Sequence, residues 1–177
     1  MKRAFITICA ARVATLLAQC TTFPQKSWQV GDIYEVNGVK GVVFSVTNDG
    51  KHGRVISLDE IAANYDDAEV WTQSLGTGWR LPNYEEIKII NRNLPEINEQ
   101  LYLLNQEQIG VIRHYWFLGE PDYSHFFMYV GNSRSVNAEI SKPDIVWWVS
   151  FYNDNEELMP EYTNKSNTDC ARAVYEF

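Results

Sequence analysis

Long apolar runs and cysteine are scarce in this chain of 177 residues, and its first twenty positions hold no acid. Nowhere do the ~20 consecutive apolar residues needed to cross a bilayer occur, so a membrane bundle is excluded. There are 3 cysteines, Cys9, Cys20 and Cys170, and if Cys9 is removed with a leader and Cys20 is acylated, Cys170 alone remains and no disulfide framework exists. The 3 histidines (His52, His114 and His125) form no His-x-x-x-His or Glu-x-x-His pair, which argues against zinc. There is no glycine-rich phosphate loop. All 23 acidic residues lie beyond position 20, whereas Lys2, Arg3 and Arg12 lie before it. The remainder sets 12 basic against 23 acidic side chains, a balance that repels phosphate backbones and argues against a nucleic-acid partner.

What is present is a core. Hydrophobic residues make up 45% and aromatics 14%, which places the chain among compact domains rather than disordered ones. The length suits one domain. At the N-terminus, the basic start Met1-Lys2-Arg3 precedes a mostly small and apolar stretch, Ala4 to Ala18. Leu17-Ala18-Gln19-Cys20 then resembles the lipobox of bacterial lipoproteins, cleaved before a cysteine that becomes lipidated. The resulting division is a signal peptide over 1–19, a lipidated tether over 20–27 and a folded domain over 28–177. The alternative is a buried amphipathic helix opening the domain. Under the first reading the protein is exported as an outer-membrane or cell-surface lipoprotein, or else to the periplasm. It touches the membrane only through the lipid, and Cys170 remains as its one thiol.

From Trp28 the pattern is β first. Asp32–Val36 alternates, Asn37-Gly38 signals a hairpin turn, and strands follow over Gly41–Val46 and Arg54–Leu58. Helices are expected over Asp66–Leu75, with Ala68, Trp71 and Leu75 on one face, and over Tyr84–Asn93. The second carries a capping box between Asn83 and Glu86 and is ended by Pro95; a third spans Ile97–Leu104. The C-terminal half returns to strands: Tyr115–Leu118, Phe126–Val130, Ile145–Phe151 and Ala171–Phe177. In the last, Ala171, Ala173, Tyr175 and Phe177 share one face. Segments 131–143 and 153–169 read as loops. Strands, then helices, then strands imply one α+β domain.

Several of these segments, in this order, resemble a family of exported bacterial domains of unassigned activity with a C-type-lectin-like fold. The C-terminal domains of certain collagen-like bacterial adhesins belong to it. The signature residues are Trp79, Arg80, Leu81 and Pro82 leading into the acidic helix, then Tyr115-Trp116 with Glu120, and finally Arg172 in Ala171-Arg-Ala-Val174. The resemblance covers roughly residues 29–177. It departs at Phe117-Leu-Gly119, where the family has hydroxyl residues. It implies small antiparallel sheets with two to three helices between N- and C-terminal strands, the first and last strands pairing. Trp79 and Trp116 have the size of core anchors.

Glu120-Pro121-Asp122 followed by Asn153-Asp154 offers hard oxygen ligands of the kind calcium takes, six to eight at a time. The plainer reading makes Glu120 part of the signature and Asn153–Asn155 a turn. No other cofactor is implied. Glu85 and Glu86 complement a helix dipole and are not read as a catalytic pair. Cys170 reads as a small core residue.

Aromatics around the loops, Tyr123, Trp148 and Tyr152, suit carbohydrate or protein contact. The functional expectation is a non-catalytic binding or adhesion module for an extracellular glycan or surface protein. Its site would draw on Glu120, Asp122, Tyr123, Trp148, Tyr152, Asn153 and Asp154. The alternatives are a structural subunit of a surface assembly and a hydrolytic or modifying enzyme.

Overall fold

The computed structural model describes residues 26–110, 113–120, 144–151, 158 and 160–177, and it is α+β. Strands β1 (Ile33–Val36), β2 (Val39–Val46) and β3 (Gly53–Ser57) form the expected meander. Asn37 and Gly38 both take positive φ, which sets the two-residue turn and the register Val36↔Val39. Alternation along β2 sends Val42 and Phe44 into one core cluster and Val43 into another, and a bulge between Val43 and Ser45 shifts the register with β3.

Strand β4 (Ile61–Ala63) is followed by three helices, α1 (Tyr65–Ser74), α2 (Tyr84–Arg92) and α3 (Leu94–Leu103). Asn64 caps α1, accepting from the Asp67 N–H. The capping box of α2 is complete: the Asn83 side chain accepts from Glu86 N–H, and Glu86 accepts from Asn83 N–H, both at 2.9 Å. Pro95 does not terminate α2. It sits in the first turn of α3, where a missing N–H leaves no bond unmade, so α3 begins at Leu94 rather than Ile97.

The remaining strands are β5 (His114–Phe117), β6 (Ile145–Ser150), β7 (Glu161–Asn164), β8 (Asp169–Ala171) and β9 (Val174–Glu176). The strand expected over 126–130 and the loop over 131–143 lie outside the described residues. Segment 153–169, read as a loop, contains β7, and the closing strand is two: β8 and β9 lie in different sheets. One sheet has the order β1-β2-β3-β9 and the other β4-β8-β5-β6-β7. The closing strand therefore pairs with β3, and β1 lies at the opposite edge, which corrects the expected pairing of first and last strands. The ends still meet through side chains, because Tyr34 stacks on Phe177 at 4.3 Å and Trp28 packs against both rings.

The two sheets share one antiparallel ribbon. Residues 53–63 run beside 177–169, pairing Arg54↔Glu176 to Ile56↔Val174 in one sheet and Ile61↔Ala171 to Ala63↔Asp169 in the other. Gly53 and Phe177 exchange two backbone hydrogen bonds at one end, and Ser57 N–H donates to Ala173 O in between. At roughly 3.3 Å per residue the ribbon separates Phe177 from Asp169 by at most about 26 Å. Ala173, Tyr175 and Phe177 do share a face, but Ala171 belongs to the cluster under the other sheet, since the ribbon changes sheets at Arg172.

The largest cluster packs Ile87, Ile90, Leu94, Ile97 and Leu101 of α2 and α3 between the sheets. Trp79 anchors a second cluster, and Trp116, fully buried, anchors a third beneath α1.

Candidate functional site

Two buried carboxylates organise the polar interior. Glu86 sits one turn into α2, where the box geometry turns its side chain back toward the preceding loop. Arg80 grips it bidentately, Nη1 to Oε2 and Nη2 to Oε1, both at 2.7 Å, and Arg54 Nε lies 3.3 Å from Oε1. Burial pushes the Glu86 carboxyl up. The Arg80 hydrogen bonds, the Asn83 N–H and the charges of Arg80 and Arg54 outweigh it, leaving the group below the usual carboxylate range. Arg80 also bridges to Val174 through two backbone hydrogen bonds, so the Trp-Arg-Leu-Pro turn is tied to β9.

Glu60, in the short link from β3 to β4, accepts from Arg113 Nη1 at 2.8 Å, Tyr115 Oη at 2.8 Å and Arg172 Nε at 3.1 Å. Arg172 also donates through Nη1 to Ser57 O and Leu58 O, each at 2.9 Å, and through Nη2 to Glu107 O. Burial first, then the Glu60 charge and hydrogen bond, push the Cys170 thiol up to about 11. At neutral pH it is a protonated thiol, not a nucleophile. Glu86 is thus held by two arginines, and Glu60 by two arginines and the Tyr115 hydroxyl.

A third group meets solvent. His114 begins β5, and its ring stacks on Trp148 of β6 at 3.7 Å and 26°. Its Nδ1 lies 3.3 Å from Asp169 Oδ1, at the start of β8. Register explains the meeting: Tyr115 pairs with Cys170, which puts His114 beside Asp169, and Trp116 pairs with Trp148. The His114 side chain is 43% exposed and that of Asp169 15%. Burial raises the Asp169 carboxyl above its usual range against the opposing pull of His114. Opposite Trp148 on the edge strand β7 is the exposed Glu161, while the exposed Tyr162 lies opposite Trp147 and packs on it from the other face.

Of the residues expected to bind, Trp148 is half-buried in mid-strand, and Glu120 is exposed just past the Leu118–Asn83 bridge. Asp122, Tyr123, Tyr152, Asn153 and Asp154 lie outside the described residues, as does Cys20. Segment 119–144 joins β5 to the start of β6, whereas 152–160 leaves from its end. Ile145 and Phe151 are about 20 Å apart along the strand. Of the calcium candidates only Glu120 is described, and no three His, Cys, Asp or Glu converge among the described residues.

Sequence reasoning missed the His114–Asp169 pair and the Glu60 hub. His114 was noticed only as flanking a strand, and Asp169 fell in a segment read as loop. Glu60 carries no local signal, since its partners lie 53 to 112 residues away.

No family model and no curated protein matches the chain. Among solved structures it is similar to EMS16, an antagonist of the collagen receptor integrin α2β1 (GPIa/IIa). The identity is 12% and the TM-score 0.41, over 70% of this chain and 90% of that one.

Proposed function

We propose that this chain is a non-catalytic binding or adhesion module of the cell exterior, holding a glycan or a surface protein and tethered by a lipid on Cys20. The observation that carries the reading is the solvent edge of the second sheet. There Trp148, stacked with His114, meets solvent from one face of the sheet, and the 43%-exposed Tyr162, packed on Trp147, from the other. Aromatic side chains bury large area at low entropic cost and suit sugar rings and protein side chains alike. The buried carboxylates, by contrast, are consumed in arginine pairs. Trp28 packs on Phe177 at the far end of the ribbon from Asp169.

Binding of the full chain to a glycan array and to surface-protein extracts, with product analysis of every bound glycan, tests the reading. Saturable binding with intact ligand supports it. Self-assembly without binding would favour a structural subunit, and turnover abolished by replacing one carboxylate an enzyme. Tyr123 and Tyr152 remain candidate anchors in the loops. Tyr123→Ala and Tyr152→Ala are expected to weaken binding by about 1–3 kcal/mol while leaving the fold intact. Asp154→Ala with an EDTA control separates a calcium-dependent version from one that needs no cofactor. For the anchor, incorporation of a labelled lipid precursor by wild type and its loss in Cys20→Ala is the expected pair of results. Unchanged labelling and processing in the variant would rule Cys20 out.

A further inference from the structure

We infer that His114, Asp169 and Trp148 form a metal-independent recognition point for a hydroxyl of a neutral pyranose sugar. This rests on the binding-module reading and narrows it to one ligand class and one place. The argument is geometric. Asp169, mostly buried on β8, takes up Nδ1 of His114 at 3.3 Å, which favours the tautomer with the proton on Nδ1. In the neutral ring Nε2 is then the lone-pair acceptor, on a side chain that is 43% exposed. No hydrogen-bond partner for Nε2 occurs among the described residues. A half-exposed imidazole oriented by a carboxylate, with one nitrogen unspent, is a fixed acceptor.

The indole of Trp148 fixes the ring from the other side, stacked at 3.7 Å. Three strands therefore hold this one acceptor: β8 through Asp169, β5 through His114 and β6 through Trp148. Rigid placement matters because a single sugar hydroxyl contributes little unless its partner is already oriented. His114 covers one face of the indole, so the sugar meets the pair from the side, setting a hydroxyl on Nε2 and apolar surface against the exposed part of Trp148.

The surroundings select against anions. Glu161 lies opposite Trp148, Asp169 is adjacent, and the nearby Arg113 is engaged by Glu60 and Glu107. A sulfated or carboxylated sugar would meet these carboxylates with no free cation beside them among the described residues, whereas a neutral ring meets no such repulsion.

The test is an NMR titration of the full chain with methyl α-D-mannopyranoside, methyl α-D-glucopyranoside and methyl β-D-galactopyranoside, with and without EDTA. The His114 ring and Trp148 indole signals are followed. Saturable shifts of both, unchanged by EDTA and weakened at least tenfold in His114→Gln, are expected with at least one glycoside. Shifts confined to other residues, or abolished by EDTA, overturn the inference and leave the binding-module reading standing. No shift with any of the three also overturns it. The wider reading falls only if the glycan array and the protein extracts are negative as well. Mapping on the unaltered chain keeps the result decisive should His114→Gln fail to fold.

Discussion

Arg172 and Glu60 meet where the shared ribbon passes from one sheet into the other, with Nε 3.1 Å from Oε2 and both side chains almost wholly buried, at 2% and 7% exposure. Between them they satisfy carbonyls and donors from the β3–β4 link, the segment after α3, β5 and β8. A planar fork of donors is needed to reach carbonyls and a carboxylate at once, and lysine has only a point charge. Arg172→Lys is therefore expected to cost about 3 kcal/mol or more in urea unfolding, since it leaves Glu60 and three carbonyls under-satisfied. A loss below about 1 kcal/mol would show that the hub does not hold the sheets together.

The Arg80–Glu86 pair predicts an acid limb. The Glu86 carboxyl is held below its ordinary value in the folded chain. Its contribution is thus fully present above the unfolded value near 4.3 and is lost as pH falls through the lower folded value. In Glu86→Gln, stability is expected to be lower at pH 7 and to fall less between pH 5 and 3 than in wild type, read from urea midpoints. Parallel curves would contradict the assignment.

How much of this was legible depends on how far apart the partners lie in sequence. The helix α2 was readable because its capping box is local, Asn83 and Glu86 lying three residues apart, and α1 through the spacing of Ala68, Trp71 and Leu75. The meander was readable through Asn37-Gly38. The three-residue strands β4 and β8 were not, because each owes its existence to the other across more than a hundred residues. The ribbon's change of sheet at Arg172 was hidden by an alternation that continues unbroken through Ala171, Ala173 and Tyr175. Trp148 was legible as an aromatic beside loops, but its partners His114 and Asp169 are brought to it only by register.

Gly78, in the turn before Trp79, has φ +93°, and an added Cβ would lie 2.9 Å from the Tyr175 ring. Gly78→Ala is expected to destabilise by roughly 1–3 kcal/mol, through a left-handed backbone and a ring pushed off its packing. A change within about 0.5 kcal/mol in thermal unfolding would show that the turn relaxes freely.

Burial that lifts the Cys170 thiol to about 11 predicts slow chemistry. At pH 8 an exposed thiol near 8.5 is substantially ionised, whereas this one is about a hundredfold less so. Alkylation of Cys170 by iodoacetamide, quantified by peptide mapping, should be at least tenfold slower in native than in urea-unfolded protein. Equal rates would mean that Cys170 is not enclosed by the hub.

The central claim is that the chain binds its ligand without transforming it. It is met most directly by calorimetric titration of the full chain with the tightest ligand from the array or extract screen, followed by recovery of that ligand. The account predicts one saturable transition, weakened by about 1–3 kcal/mol in Trp148→Ala or Tyr162→Ala at unchanged fold, and a ligand recovered intact. A ligand recovered cleaved or modified, with that change abolished by replacing a single carboxylate, would contradict it.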